Sequence, residues 1–223
     1  MPQNAVPASS RSATPERLLQ AGLARARQEG LRHLTVRAIA QDAGVNLGSF
    51  VYHFGSRDAF IAQLIEHWYA PLLARAQQRI QQTAAAAPGG EPILLVALLD
   101  VVDIVLAERQ FIGQLVADAA AGEAPARAFL RSCGDRHPAL LLQAIGLAQA
   151  SGQLRDGDPR HLLLMFMSII GLPVLLFESL SGRDILPLTL VDAFEAFALQ
   201  RPHIEQRLSW LLEGLRPTSG APR

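Results

Sequence analysis

Gly30, Gly44 and Gly55 cut the first quarter of the chain into helical stretches too short to stand alone, and nothing else in the sequence restricts the fold as strongly. Thr14-Pro15-Glu16 combines a hydroxyl N-cap, a proline at the first helical position and an acid in the first turn. Leu19, Leu23 and Ala26 then recur at four- and three-residue spacing, which predicts a helix over 15–29 closed by Gly30. Thr35 caps a second helix reaching about Asp42, with Val36, Ile39, Ala40 and Ala43 inward. A third runs from about Leu47 to Phe54, with Phe50 and Phe54 on one face, before Gly55-Ser56 breaks it. Isolated helices under about 12 to 15 residues are marginal in water, so these three must pack on one another.

Two details say how they pack. Gly22 shares the apolar face of the first helix, where a missing side chain costs helix stability but lets a neighbour approach closely. Between the second and third helices, Ala43 is small, Gly44 takes a backbone conformation other residues resist, and Val45 plugs the gap. Ser56 caps a long fourth helix starting at Arg57, with Phe60, Ile61, Leu64, Ile65 and Trp68 inward and Pro71 predicting a kink.

Further along, apolar-periodic segments at about 91–109, 110–121, 124–150, 159–181 and 190–215 predict a helical bundle, interrupted at His137-Pro138 and Arg201-Pro202. No stretch reads as a strand, so the fold class is all-α. Leu162 to Phe177 is almost wholly apolar but somewhat short of the roughly 18 to 20 residues needed to span a bilayer. Containing Ser168, Gly171 and Pro173, it reads as a helix buried against more than one neighbour.

Composition narrows the chemistry. Half of the 223 residues are hydrophobic and 18% are charged, enough for a substantial core. Every cationic side chain is arginine, which removes a Walker lysine, a Schiff-base lysine and a serine-lysine dyad from consideration. The net charge is zero but uneven: residues 1–60 carry seven arginines against four acids, and the remainder thirteen against sixteen. A mildly basic front on a mildly acidic body suits phosphate contact at one end. The single Cys133 cannot form an internal disulfide, and no basic-then-apolar signal opens the chain, so a cytoplasmic setting is expected.

With Phe50 and Phe54 committed to the core, the other face of the third helix presents Leu47, Gly48, Ser49, Tyr52 and His53. These groups are small and lightly charged, so that face can enter a groove closely. Arg37 near the start of the second helix is placed for guanine O6 and N7 or for a phosphate. Tyr52 can donate to a phosphate, and Arg57 with the first amides of the fourth helix offers another phosphate site.

The segment TVRAIAQDAGVNLGSFVYHFGSRDAF resembles the DNA-binding domain of the tetracycline-repressor (TetR) family, over about Pro15 to Trp68. Thr35, Ile39, Ala40, Ala43, Gly44, Val45, His53 and Phe54 fall at the family's spacing. Val51 stands where many members carry an aromatic, and Arg57 replaces a customary lysine. The resemblance implies an N-terminal three-helix helix-turn-helix domain at 14–60 and a larger helical effector-binding and dimerisation domain at 61–216, flanked by disordered tails at 1–13 and 217–223. The candidate DNA-contacting set is Thr35, Val36, Arg37, Asn46, Leu47, Gly48, Ser49, Tyr52, His53 and Arg57. It further implies a homodimer through about 159–181 and 203–215, an inverted-repeat operator with half-sites roughly 34 Å apart, and repression relieved by a small-molecule effector. A ligand-independent regulator and a catalytic cavity inside the bundle remain the alternatives.

The effector cavity is expected within about 91–180, with Leu99, Asp103, Met165, Phe166 and Phe177 as candidate lining residues. The same residues also suit core or dimer packing, and Asp100 with Asp103 also suits the solvent side of a packed helix. Cys133 and His137 lie four apart, but two ligands are not a metal site, and no metal or cofactor is expected. The sequence holds no G-x-S-x-G, no H-E-x-x-H and no repeated E-x-x-H, so no enzyme is expected.

Overall fold

The computed structural model describes residues 8–85, 92–180 and 186–217, with side chains from residue 14 onward. All regular elements among these residues are helical. They are α1 (Ala8–Glu29), α2 (Val36–Asp42), α3 (Leu47–Phe54), α4 (Arg57–Ala85), α5 (Ile93–Ala120), α6 (Ala124–Ser132), α7 (His137–Ala150), α8 (Pro159–Leu180), α9 (Leu188–Ala193) and α10 (Arg201–Gly214). A three-residue 3-10 turn, Leu31–His33, joins α1 to α2, and a second, Cys133–Asp135, precedes α7. A π-helical turn, Phe194–Ala198, follows α9.

The chain forms two compact units, Met1–Pro71 with Gln114–Arg131, and Leu72–Gly113 with Ser132–Arg223. The sequence division at 60/61 falls inside α4, whereas the compact units part after Pro71. The physical reason is that α4 keeps contributing core residues to the first unit after residue 60. Ile61, Leu64, Ile65 and Trp68 are buried, and the rings of Trp68 and Tyr69 pack against Phe129 of α6 at 6.4 and 5.0 Å.

In the first unit α1, α2 and α3 pack pairwise, as their shortness requires. Phe50, Phe54 and Phe60 form a ring cluster with centroids 4.9 to 5.4 Å apart. The close approach predicted at Gly22 is made by α4: a Cβ there would stand 2.5 Å from Cζ of Phe60. One expectation fails. Thr14 is not the helix start, because α1 begins at Ala8 and carries Pro15 internally. A proline one or two turns inside a helix removes one amide donor, which the helix tolerates at a cost. Of the two expected disordered tails, residues 1–7 and 218–223 lie outside the described residues, and 8–13 are helical backbone.

The second unit is built around Leu98, Val102, Ile145, Phe166, Ile170, Ile204 and Leu208, contributed by α5, α7, α8 and α10. Its α8 differs from the sequence expectation of burial all round. Leu162, Phe166, Ile170, Val174 and Phe177 enter the interior, while Leu164, Leu172 and Leu176 are exposed, Leu164 by 66% and Leu172 by 59%. By length and composition alone α8 could cross a membrane, with 28% of its most apolar window buried in this chain. The segments expected at 91–109 and 110–121 merge into the single helix α5, since no residue between Arg109 and Phe111 breaks a helix.

Candidate nucleic-acid interface

The turn between α2 and α3 is fixed by its backbone. Gly44 adopts φ 62°, its amide donates to the Gln41 carbonyl at 3.0 Å, and the Val45 amide donates to the Ala40 carbonyl at 2.9 Å. This pair of bonds is the Schellman closure of a helix, and the left-handed residue it needs is the glycine. Arg17 reaches over from α1 to donate to the Ala43 carbonyl and, at 3.4 Å, to that of Gly44. The sequence reading missed Arg17; a lone arginine on a helix face carries no signal of such a partner.

Both helices of the motif are capped, α2 by Thr35 as the sequence predicts and α3 by Asn46, which the sequence reading did not assign as a cap. The hydroxyl of Thr35 accepts the Ala38 amide at 3.3 Å, and the Asn46 side chain accepts the Ser49 amide at 2.8 Å and its hydroxyl at 3.1 Å. Asn46 and Ser49 therefore spend part of their hydrogen-bonding capacity on holding the start of α3. Gly48 sits where a Cβ would come 3.3 Å from the Asn46 carboxamide oxygen, so a small residue keeps this cap undisturbed.

Of the five residues expected on the outward face, Leu47, Gly48 and Tyr52 are exposed, Tyr52 by 84% with its ring edge-on to His53 at 5.0 Å, while Ser49 and His53 are half-buried. Thr35 and Arg37 are exposed on α2, and Val36 is half-buried. Val51 joins this surface beside Tyr52, at the position where the sequence departs from the family pattern.

Arg57 occupies a different place. Its Nε donates to the Leu34 carbonyl at 2.8 Å, Nη2 to the Leu31 and Arg32 carbonyls at 2.7 and 3.1 Å, and both terminal nitrogens to Glu123 at 2.9 and 3.1 Å. The hydrogen bonds to Glu123, opposed by partial burial, hold its pKa above the ordinary arginine value. Its donors are spent within the protein, so the phosphate contact expected of it is replaced by a structural role. Sequence spacing could not show this, because Glu123 is 66 positions away.

The family of bacterial regulatory proteins, tetR family, matches residues 18–64, the stretch that holds this turn, both caps and the exposed face of α3. Residues 18–64 thus form a head of the TetR type. Its DNA-binding element is the helix-turn-helix of α2 and α3. Solved structures extend the likeness past the TetR head. A TetR transcription regulator from Haloarcula marismortui is 18% identical with a TM-score of 0.63, covering 92% of this chain and 98% of its own. A transcriptional regulator from Rhodococcus sp. is 16% identical at 0.60, covering 92% and 100%. A regulator protein from Saccharomonospora viridis, solved in complex with choline, is 17% identical at 0.64, covering 89% and 96%. At these identities the likeness is one of fold. No curated protein matches the chain.

Outside the TetR head, the candidate effector residues are dispersed. Leu99 lines a groove of about 830 Å³ in the second unit, walled by Leu95, Leu154, Leu208 and Leu212, with Glu205 and Arg216 among its polar residues. Phe166 is fully buried in the core, Met165 packs against it, and Phe177 is buried with its ring 6.0 Å from Phe194. Asp103 pairs with Arg201 at 3.3 Å and stands 3.9 Å from Arg79, which also binds the buried Asp100. Four of the five are thus placed in packing or ion pairs rather than against the groove. Cys133 lies in a 3-10 turn and His137 opens α7, so they do not share the single helix that would have brought them together.

Proposed function

We propose that the chain is a homodimeric repressor that reads an inverted-repeat operator through α3 and releases it when a small-molecule effector binds. The observation that carries this reading is the outward face of α3. It combines Leu47, Gly48, Val51 and the nearly fully exposed Tyr52 on a helix capped at its start by Asn46. A face of this kind can approach base edges closely, with Arg37 on α2 beside it in sequence order as the cationic contact. The DNA-contacting set is then Thr35, Val36, Arg37, Asn46, Leu47, Gly48, Ser49, Tyr52 and His53, without Arg57.

Dimerisation is supported by apolar surface that the single chain leaves uncovered. Leu164, Leu172 and Leu176 recur along one line of α8, with Ser168 between them turning its hydroxyl back to the Leu164 carbonyl at 2.7 Å. Trp210 of α10 is 61% exposed. Contiguous apolar area of this kind marks an interaction surface. A second copy burying the same face is the economical partner, because a two-fold axis satisfies both copies at once.

For the effector, the leucine-walled groove beside Leu99 has a volume in the range of small-molecule sites. A ligand acts on DNA affinity only by binding one arrangement of the dimer better than another. A regulator that has to reach chromosomal DNA fits the cytoplasmic setting expected from the sequence. The test is nuclease protection of genomic DNA by the purified chain. Recovery of an inverted repeat with half-sites about one helical turn apart supports the reading, and protection of a single half-site or of none would overturn it.

A further inference from the structure

The connector between α1 and α2 is held at both ends by one turn of the chain almost ninety residues away. Asp118, 2% exposed near the end of α5, accepts the Leu31 amide at 2.5 Å, the Arg32 amide at 3.4 Å and Nε of Arg32 at 2.9 Å. Those amides are the free donors at the start of the Leu31–His33 turn, which therefore ends against a buried carboxylate. Gly30 must be small here: it adopts φ 84°, and a Cβ on it would stand 2.9 Å from the Asp118 carboxylate.

The carbonyls at the other end of the same turn, those of Leu31, Arg32 and Leu34, are taken by Arg57, and Arg57 is held by Glu123, whose side chain is 9% exposed. Asp118 and Glu123 are not independent of each other. The Glu123 amide donates to the Asp118 carbonyl at 2.9 Å, and that of Gly122, at φ 102°, donates to Ala119 at 3.1 Å. This is a Schellman closure, which fixes the two carboxylates on one rigid turn.

We propose that Asp118 and Glu123 are positioning residues for DNA reading: carried together on the closing turn of α5, they grip both ends of the Leu31–His33 connector and so set the placement of α2 and α3. The connector leads directly into Thr35, the cap of α2, so a shift of the α5 turn draws on α2 through a three-residue link with no slack. Neither carboxylate touches the outward face of α3.

The test uses the full chain and two readouts. Asp118→Asn and Glu123→Gln keep shape and remove charge. Amide exchange is expected to quicken about tenfold over residues 31–54 in each, while the interior of α4 around Leu64 keeps wild-type protection. Unchanged exchange over 31–54, or an equal rise around Leu64, would overturn the proposal, the second because it reports general loosening. Should Asp118→Asn fail to fold, Glu123→Gln and Arg57→Lys carry the same readout from the other end of the connector.

The second readout is affinity for a random-sequence duplex at low salt. Removing an acid would by charge alone strengthen binding to DNA, whereas loss of positioning weakens it; a fall of about fivefold with an unchanged salt slope is expected. Equal or stronger binding in both variants counts against the proposal. This arm rests on the reading of α3 as the DNA-contacting helix. If the wild-type chain binds no duplex while the exchange pattern is as stated, that reading fails and the grip on the connector stands.

Discussion

Gly22 of α1 faces Phe60 of α4 so closely that a Cβ on the glycine would lie 2.5 Å from Cζ and 2.9 Å from Cε1 of the ring. Phe60 is fully buried and its ring packs on both Phe50 and Phe54, so it has nowhere to retreat.

Two effects of Gly22→Ala therefore oppose each other. Alanine gains about 1 kcal/mol of helix propensity, while overpacking a filled core costs about 1 to 3 kcal/mol. The clash wins, and urea unfolding is expected to show net destabilisation. Gly146 of α7 has nothing within 4 Å of its would-be Cβ, so Gly146→Ala is expected to raise stability by about 0.5 to 1 kcal/mol. Equal effects at the two sites would contradict this account of the TetR head.

Arg57 and Tyr52 separate structure from contact. Arg57→Ala leaves Glu123 nearly buried without its cation and takes the Arg57 donor from three carbonyls, of which that of Leu31 keeps the Leu34 amide. Allowing for the partial exposure of Arg57, a loss of about 2 to 3 kcal/mol is expected in chemical unfolding. Tyr52→Ala is expected to leave the unfolding midpoint unchanged and to weaken DNA binding similarly for all sequences. A stable Arg57→Ala protein with a reduced salt slope would return Arg57 to the phosphate backbone.

Arg37 is expected to carry sequence preference. If its guanidinium meets a guanine in two hydrogen bonds, Arg37→Ala relaxes selection at one base position by about 1 to 3 kcal/mol. Selection from a randomised duplex pool measures this, and an unchanged consensus would exclude a base contact.

Leu164→Glu with Leu172→Glu places two charges on the uncovered line of α8 without touching the core residues Phe166 and Ile170. Sedimentation at micromolar concentration is expected to show a dimer for the wild type and a monomer for the double variant, with helical content unchanged. A monomeric wild type would overturn the dimer.

Acid stability has two separate windows. Burial, with a further push from Arg75 and an opposing pull from Asp100, holds His137 below its ordinary value of 6.5. The unfolded chain then takes up this proton first. Stability from His137 is full above pH 6.5 and falls as the pH drops toward the folded value. Asp158 is held down to about 2, first by the Arg160 side chain and then by its amide; its contribution is present above the unfolded value of 3.8 and lost as pH falls through about 2. Urea midpoints against pH should lose the upper slope in His137→Gln and keep the lower one.

The head was legible because its signals are local. Thr35 and Ser56 cap, Gly44 turns, and Phe50 and Phe54 point inward, each decided by residues within four positions. Periodicity likewise determined that the rest is helical and that α8 is rich in apolar surface. What only the tertiary structure decided is where distant charges meet. That Arg57 turns inward to Glu123, that Asp118 seats the Leu31 amide, and that Asp103 joins Arg201 instead of facing a cavity all depend on contacts across 66 to 98 positions. A side-chain charge is the same letter whether it ends in solvent, on a phosphate or on a buried backbone amide, and the packing of elements far apart in the chain determines which of these it meets.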